Sequence, residues 1–115
     1  MKLRIAFLQL LPADSIDDNL ILGLEACKEA KNHGADIALF PEMWSVGYQF
    51  FHDEEKLREQ AISLDSIFLK RYSNLAEELD MAIAVTFLEK YEPNPRNTEL
   101  IAMKYDYLDC ILEQK

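Results

Sequence analysis

Three short apolar runs, at residues 3–11, 36–40 and 81–87, are separated by stretches long enough for helices, and this spacing restricts the fold more than any other feature. The run Leu3-Arg-Ile-Ala-Phe-Leu-Gln-Leu-Leu11 is nearly all apolar and stops at Pro12, as expected of a central strand buried on both faces. Asp14 or Ser15 can then cap a helix whose inner stripe is Ile16, Leu20, Leu24 and Cys27, at spacings of four, four and three. Gly34 supplies the stop, and Asp36-Ile-Ala-Leu-Phe40 forms a second strand. Strand, helix, strand implies parallel pairing, because a short turn cannot return the chain to the same end of a sheet. The expected fold class is α/β, a layered sheet.

After Pro41 the pattern breaks into a loop rich in aromatics, Trp44, Tyr48, Phe50 and Phe51, where ligand contact is expected, followed by an exposed charged stretch, 52–60. A second long helix, capped near Ser63 or Asp65, carries Phe68, Tyr72, Leu75 and Leu79 on one face. Residues 81–87 are a third buried strand, 89–96 with Pro93 and Pro95 a loop, and 98–103 a fourth strand. Residues 105–115 fit a turn and strand or a short helix, and the pattern leaves both open.

The 115 residues, half of them hydrophobic, suffice for one modest core, so the chain is at most one domain. With 12 Lys and Arg against 21 Asp and Glu the surface is acidic, which repels phosphate backbones and argues against nucleic acid as a partner. Every apolar run falls short of the ~20 residues a membrane helix needs. The run after Lys2 and Arg4 is broken by Gln9 and lacks a small-residue cleavage site, so it is expected to be a strand and not an export signal. Two cysteines far apart make no disulfide framework, which fits a reducing cytoplasm. His33 and His52 have no metal-ligand partner at suitable spacing, so no metal site is expected.

Glu42 stands two residues beyond the apolar run that ends at Phe40, at the carboxyl end of an expected parallel strand, where open α/β sheets place their ligands. Held against Phe40, Met43 and Trp44, its carboxylate would be desolvated toward the range useful to a general base. Physics alone also permits the plainer alternative, in which Pro41-Glu42 turns the chain and the carboxylate sits in water. Cys27 shares the apolar stripe of the first helix and is expected to be an inert core residue. Cys110 alternates with Leu108 and Leu112 among Asp106, Asp109 and Glu113, which disfavour a thiolate. Trp44 and Tyr48 can line a pocket or cover the sheet.

The run Gly34-Ala-Asp-Ile-Ala-Leu-Phe-Pro-Glu-Met-Trp-Ser-Val-Gly-Tyr48 resembles the signature of the nitrilase superfamily of carbon-nitrogen hydrolases, in which Gly-Ala-Asp opens a strand, Phe-Pro-Glu closes it and Gly-Tyr follows. The likeness continues through Gln9, Asn19, 76–80, Glu89 and Asn97-Thr98, and so covers residues 3–103. It implies part of a four-layer α-β-β-α sandwich, with residues 1–115 a single, truncated domain. It also implies a Cys-Glu-Lys triad without a cofactor, acting on a small amide, carbamoyl or nitrile substrate, in a homo-oligomer. Glu42 matches the glutamate, and Lys115 falls about where the lysine should stand. The cysteine nucleophile would lie downstream of a strand beyond this sequence. By the same resemblance Tyr48 and Glu89 stand near the substrate, although Thr86 occupies a position where glycine is common and would crowd the backbone. The competing expectation is a non-catalytic α/β interaction or regulatory domain, a decayed fragment.

Overall fold

A computed structural model of the chain describes residues 2–47 and 53–103 and the backbone of 109–112. Its elements in order are β1 (Ile5–Phe7), α1 (Ile16–Asn32), β2 (Ile37–Leu39), a 3-10 turn (Trp44–Val46), α2 (Glu54–Gln60), α3 (Ile67–Leu79), β3 (Ala82–Glu89), β4 (Arg96–Ala102) and β5 (Asp109–Leu112). The strands form one sheet in sequence order; β1, β2 and β3 are parallel, whereas β4 and β5 are antiparallel to their neighbours. Five strands with helices make the expected α/β fold.

The local signals have identifiable causes. Ser15 caps α1 by accepting from Asp18 N–H, and Ser66, not Ser63 or Asp65, caps α3 by accepting from Leu69 N–H. Gly34, at φ +86, closes α1 while Ala35 N–H reaches back to Ala30 C=O, a left-handed termination that favours glycine. Asp36 then fastens three strands: its carboxylate accepts from Arg4 N–H at 2.9 Å, its N–H donates to Arg4 C=O, and its C=O accepts from Ala82 N–H. The Gly-Ala-Asp triplet therefore ends a helix and starts the sheet.

Helices α1 and α3 pack side by side on one face of the sheet. Leu20, Leu24, Cys27 and Ala30 from α1 meet Phe68, Leu69, Tyr72, Leu75 and Ala76 from α3 above Ala38, Ile83, Val85, Phe87, Leu100 and Ala102. Tyr72 packs edge-to-face with Phe40 and with Phe68, each pair with ring centroids 5.2 Å apart, an arrangement favoured by the ring quadrupole.

Two expectations are corrected. The first strand is short and lies at the sheet's edge, not at its centre: Ala6 and Leu8 pack on the core, but Ile5 is 43% and Phe7 72% exposed. A continuously apolar run shows that both faces want cover without showing what supplies it. The charged stretch, expected to be exposed, holds the helix Glu54–Gln60, which is capped by Asp53 and buries none of its residues. Residues 89 and 96, assigned to a loop from the prolines between them, instead belong to β3 and β4 and face each other across the ladder. The described part of 105–115 is a strand.

The face opposite the helices carries Ile5 and Phe7 and, in the same register, Ile37 and Leu39, which are only half-buried. An apolar edge of this kind templates association. The isolated chain is expected to self-associate in sedimentation velocity, and Phe7→Lys with Ile5→Lys to shift it toward monomer; an unchanged distribution would show that another surface makes the contact.

Candidate active site

The site forms where β2 stops and β3 continues. β2 pairs with β3 only as far as Leu39 and Ala84, yet β3 extends to Glu89. The turn after Pro41 fills the space beside the remaining half of β3 and makes hydrogen bonds in place of a ladder. Leu88 N–H donates to Ser45 Oγ at 3.0 Å, and Trp44 N–H to Thr86 Oγ1 at 3.0 Å. Ser45 is fully buried, so its hydroxyl satisfies an amide that would otherwise be orphaned. Asn19, also buried, holds the turn from the other side by accepting from Ala13 N–H and donating to Ser45 C=O. Gly47, at φ +64, packs against Pro12 and Asn19, where a Cβ would lie 2.5 Å from the proline ring.

Glu42 projects from this turn into a crevice bounded by Met43, Thr86, Asn97, Thr98 and Glu99, with its Oε1 buried. It lies beyond the C-terminal ends of the parallel strands, the position deduced from the sequence. The plainer alternative, a carboxylate wholly in water, does not describe it.

Trp44 is differently placed. Its indole lies in the core, 1% exposed, tilted against Phe40 at 5.5 Å and donating from Nε1 to Tyr72 Oη at 3.2 Å. It contributes a backbone N–H to the site and no surface to the crevice. Glu89 is buried at the end of β3, outside the crevice lining, where Oε1 accepts from Thr98 Oγ1 at 2.7 Å and from Arg96 Nε at 3.1 Å. The Arg96 guanidinium stacks over Tyr91, 3.4 Å from the ring centroid. A carboxylate so engaged acts as a strut under the crevice wall, because Thr98 belongs to both. Tyr48 and Lys115 lie outside the described residues, as does the side chain of Cys110.

Sequence reasoning passed over Thr86 and Thr98 as site residues. Thr86 is the one hydroxyl in the apolar run 81–87; it does not crowd the backbone there as expected but anchors the turn by hydrogen bonds.

Cys27 is fully buried, and burial pushes its thiol up to about 12. Thiol reagents at pH 8 are expected to modify it only as fast as the fold opens, so that its labelling accelerates with urea, as read by peptide mapping. Rapid labelling of the folded chain would contradict its placement. Among the described residues no group of three His, Cys, Asp or Glu side chains could hold a metal ion, and no helix is long and apolar enough to cross a membrane.

The fold resembles solved structures at low identity. An amidase from Nesterenkonia sp. superimposes with a TM-score of 0.76 at 20% identity over 98% of this chain and 43% of that one. A CN-hydrolase superfamily protein from Xanthomonas campestris, with an arsenic adduct in its active site, gives a TM-score of 0.80 at 19% identity over 98% of this chain and 41% of that one. The C. elegans NitFhit protein gives 0.80 at 16% over 96% and 27%. The chain thus spans less than half the length of each. No curated protein matches it. The family model for carbon-nitrogen hydrolases matches residues 4–111, nearly the whole chain. With that match, and with the glutamate turn built on the expected sheet, the chain belongs to the carbon-nitrogen hydrolase family.

Proposed function

We propose that this chain is the glutamate-bearing portion of an enzyme that cleaves carbon-nitrogen bonds in small amide, carbamoyl or nitrile compounds, with Glu42 as its base. The observation that carries the reading is the Glu42 carboxylate, half enclosed in a crevice beyond the ends of the parallel strands and borne on a turn hydrogen-bonded to β3.

In the proposed reaction Glu42 takes the proton of a cysteine thiol supplied from outside residues 1–115, and the thiolate attacks the amide carbon. A lysine ammonium, assigned to Lys115, stabilises the oxyanion. Glu42 returns the proton to the departing nitrogen, so ammonia leaves and a thioester remains. Glu42 next accepts a proton from water, whose oxygen attacks the thioester carbon; the carboxylic acid is released and the thiol reforms. Tyr48 is assigned to the substrate side of the site, and Trp44 and Glu89 to its support.

The test uses the native gene product, its intact mass established first. Butyramide and acrylamide are suitable probes, because structures of the Nesterenkonia amidase hold them. Ammonia release, together with an acyl adduct trapped on a cysteine and seen by intact mass, supports the reading. A product of about 13.3 kDa that releases no ammonia from amides, carbamoyl compounds or nitriles would sink it and leave the non-catalytic module.

A further inference from the structure

Thr86 interrupts the apolar run of β3, and its hydroxyl stands where β2 departs from the sheet. Phe40 N–H still donates to Ala84 C=O at 3.0 Å. After that bond the chain turns away from β3 at Pro41. At that point the Thr86 side chain takes over: Oγ1 donates to Pro41 C=O and accepts from Trp44 N–H at 3.0 Å. These two backbone groups bracket Glu42 and Met43. Met43 is held at φ 56, ψ 38, a region that residues with side chains rarely adopt and keep only when their surroundings enforce it. One hydroxyl thus closes both ends of the strained segment that carries the carboxylate, and the same residue forms part of the crevice wall that the carboxylate enters.

We propose that Thr86 is a positioning residue for Glu42, setting the direction in which its carboxylate enters the crevice. The inference rests on the reading of Glu42 as the base, which must lie within hydrogen-bond reach of the proton it takes, so that a displacement of roughly 1 Å is costly to rate. A hydroxyl suits the task because it donates and accepts at once, whereas glycine at this position could do neither.

Thr86→Val preserves shape and removes both hydrogen bonds, while Thr86→Ser restores the hydroxyl. The readouts are amide exchange at Trp44 and the carboxyl titration of Glu42, followed by carbon-13 NMR in a Glu99→Gln background, since Glu99 is the other ionisable group lining the crevice among the described residues. Thr86→Val is expected to speed Trp44 exchange roughly tenfold and to move the Glu42 midpoint by about half a pH unit or more, with Thr86→Ser returning both to the parent values. Thr86→Cys, a weaker donor and acceptor, carries the same readout if the valine variant does not fold. A Glu42 titration that coincides in the parent and the hydroxyl-free variant overturns the proposal, whatever the amide exchange shows. The two readings fail separately: an unmoved titration beside ammonia release that depends on Glu42 removes the positioning role alone, and a moved titration in a protein without hydrolysis removes the enzyme alone.

Discussion

Glu42→Gln is expected to lower hydrolysis by the native gene product by roughly 10²–10⁴-fold, the range a positioned general base contributes. The substitution keeps size and shape while removing the negative charge and, with it, the capacity to take a proton. The amide fills the same volume as the carboxylate, so the fold should be retained, and a melting curve of the variant checks this. The sign of the pH dependence follows from the role. A base works deprotonated, so the parent's kcat/KM should fall as pH is lowered and Glu42 protonates, and that acid limb should be missing from the residual rate of Glu42→Gln. A rate unchanged by the substitution, with the acid limb intact, would mean that another group performs the proton transfers. The measurement separates chemistry from folding, because a decline in kcat/KM alongside an unaltered melting curve has no structural explanation.

The parts of the fold that local chemistry dictates were legible in the sequence. The α1 stripe of Leu20, Leu24 and Cys27 follows from helical periodicity, the stop at Gly34 from its freedom at positive φ, and the parallel order of β1, β2 and β3 from the intervening helices. Glu42 was legible for a related reason, since a carboxylate just past a buried parallel strand can reach only the end of the sheet. What long-range contacts decide was not legible. The edge position of β1 depends on which strands come to lie beside it, and the placement of Trp44 depends on Tyr72, 28 residues away, offering a hydroxyl to its indole. An aromatic after a strand reads the same whether it faces a ligand or a helix.

Buried polar groups explain why the turn resisted prediction in detail. Ser45, Asn19 and Thr86 have unremarkable places in the sequence, yet their hydrogen bonds reach 43, 26 and 45 residues along the chain, to Leu88, Ser45 and Pro41. Each satisfies a backbone group that leaves the regular ladder where β2 ends. Irregular backbone at the end of a sheet needs such partners, because a buried amide or carbonyl without one costs about 1–3 kcal/mol. That the chain leaves the ladder near Pro41 can be foreseen from the proline; which side chains meet the freed backbone groups cannot.

Gly23→Ala should be strongly destabilising, although helix propensity alone argues the reverse. Alanine is favoured over glycine within a helix by about 1 kcal/mol. At this position, however, a Cβ would lie 1.9 Å from Tyr72 Oη and 2.9 Å from both Phe40 Cε1 and Trp44 Nε1. These neighbours have no room to retreat: Tyr72 and Trp44 are fully buried and Phe40 is nearly so. The Tyr72 hydroxyl donates to Leu20 C=O at 3.3 Å and accepts from Trp44 Nε1, and burial holds it well above the ordinary phenol range, so it remains a neutral donor. Overpacking costs about 1–3 kcal/mol, and displacing the phenol adds a similar amount for each buried partner it abandons. After the propensity gain, a net loss of about 2 kcal/mol or more is expected, which in a domain of this size lowers Tm by roughly 10 °C or more. A double-mutant cycle locates the cause. Tyr72→Phe removes the nearest atom, so the double variant should be more stable than the sum of the single losses by about 1 kcal/mol or more. Additive losses would place the strain elsewhere, and a stabilised Gly23→Ala would disprove the close approach of α1 to Tyr72. Because Trp44 belongs to the turn that bears Glu42, the same substitution should also loosen the site, speeding exchange of the Trp44 amide before α3 opens.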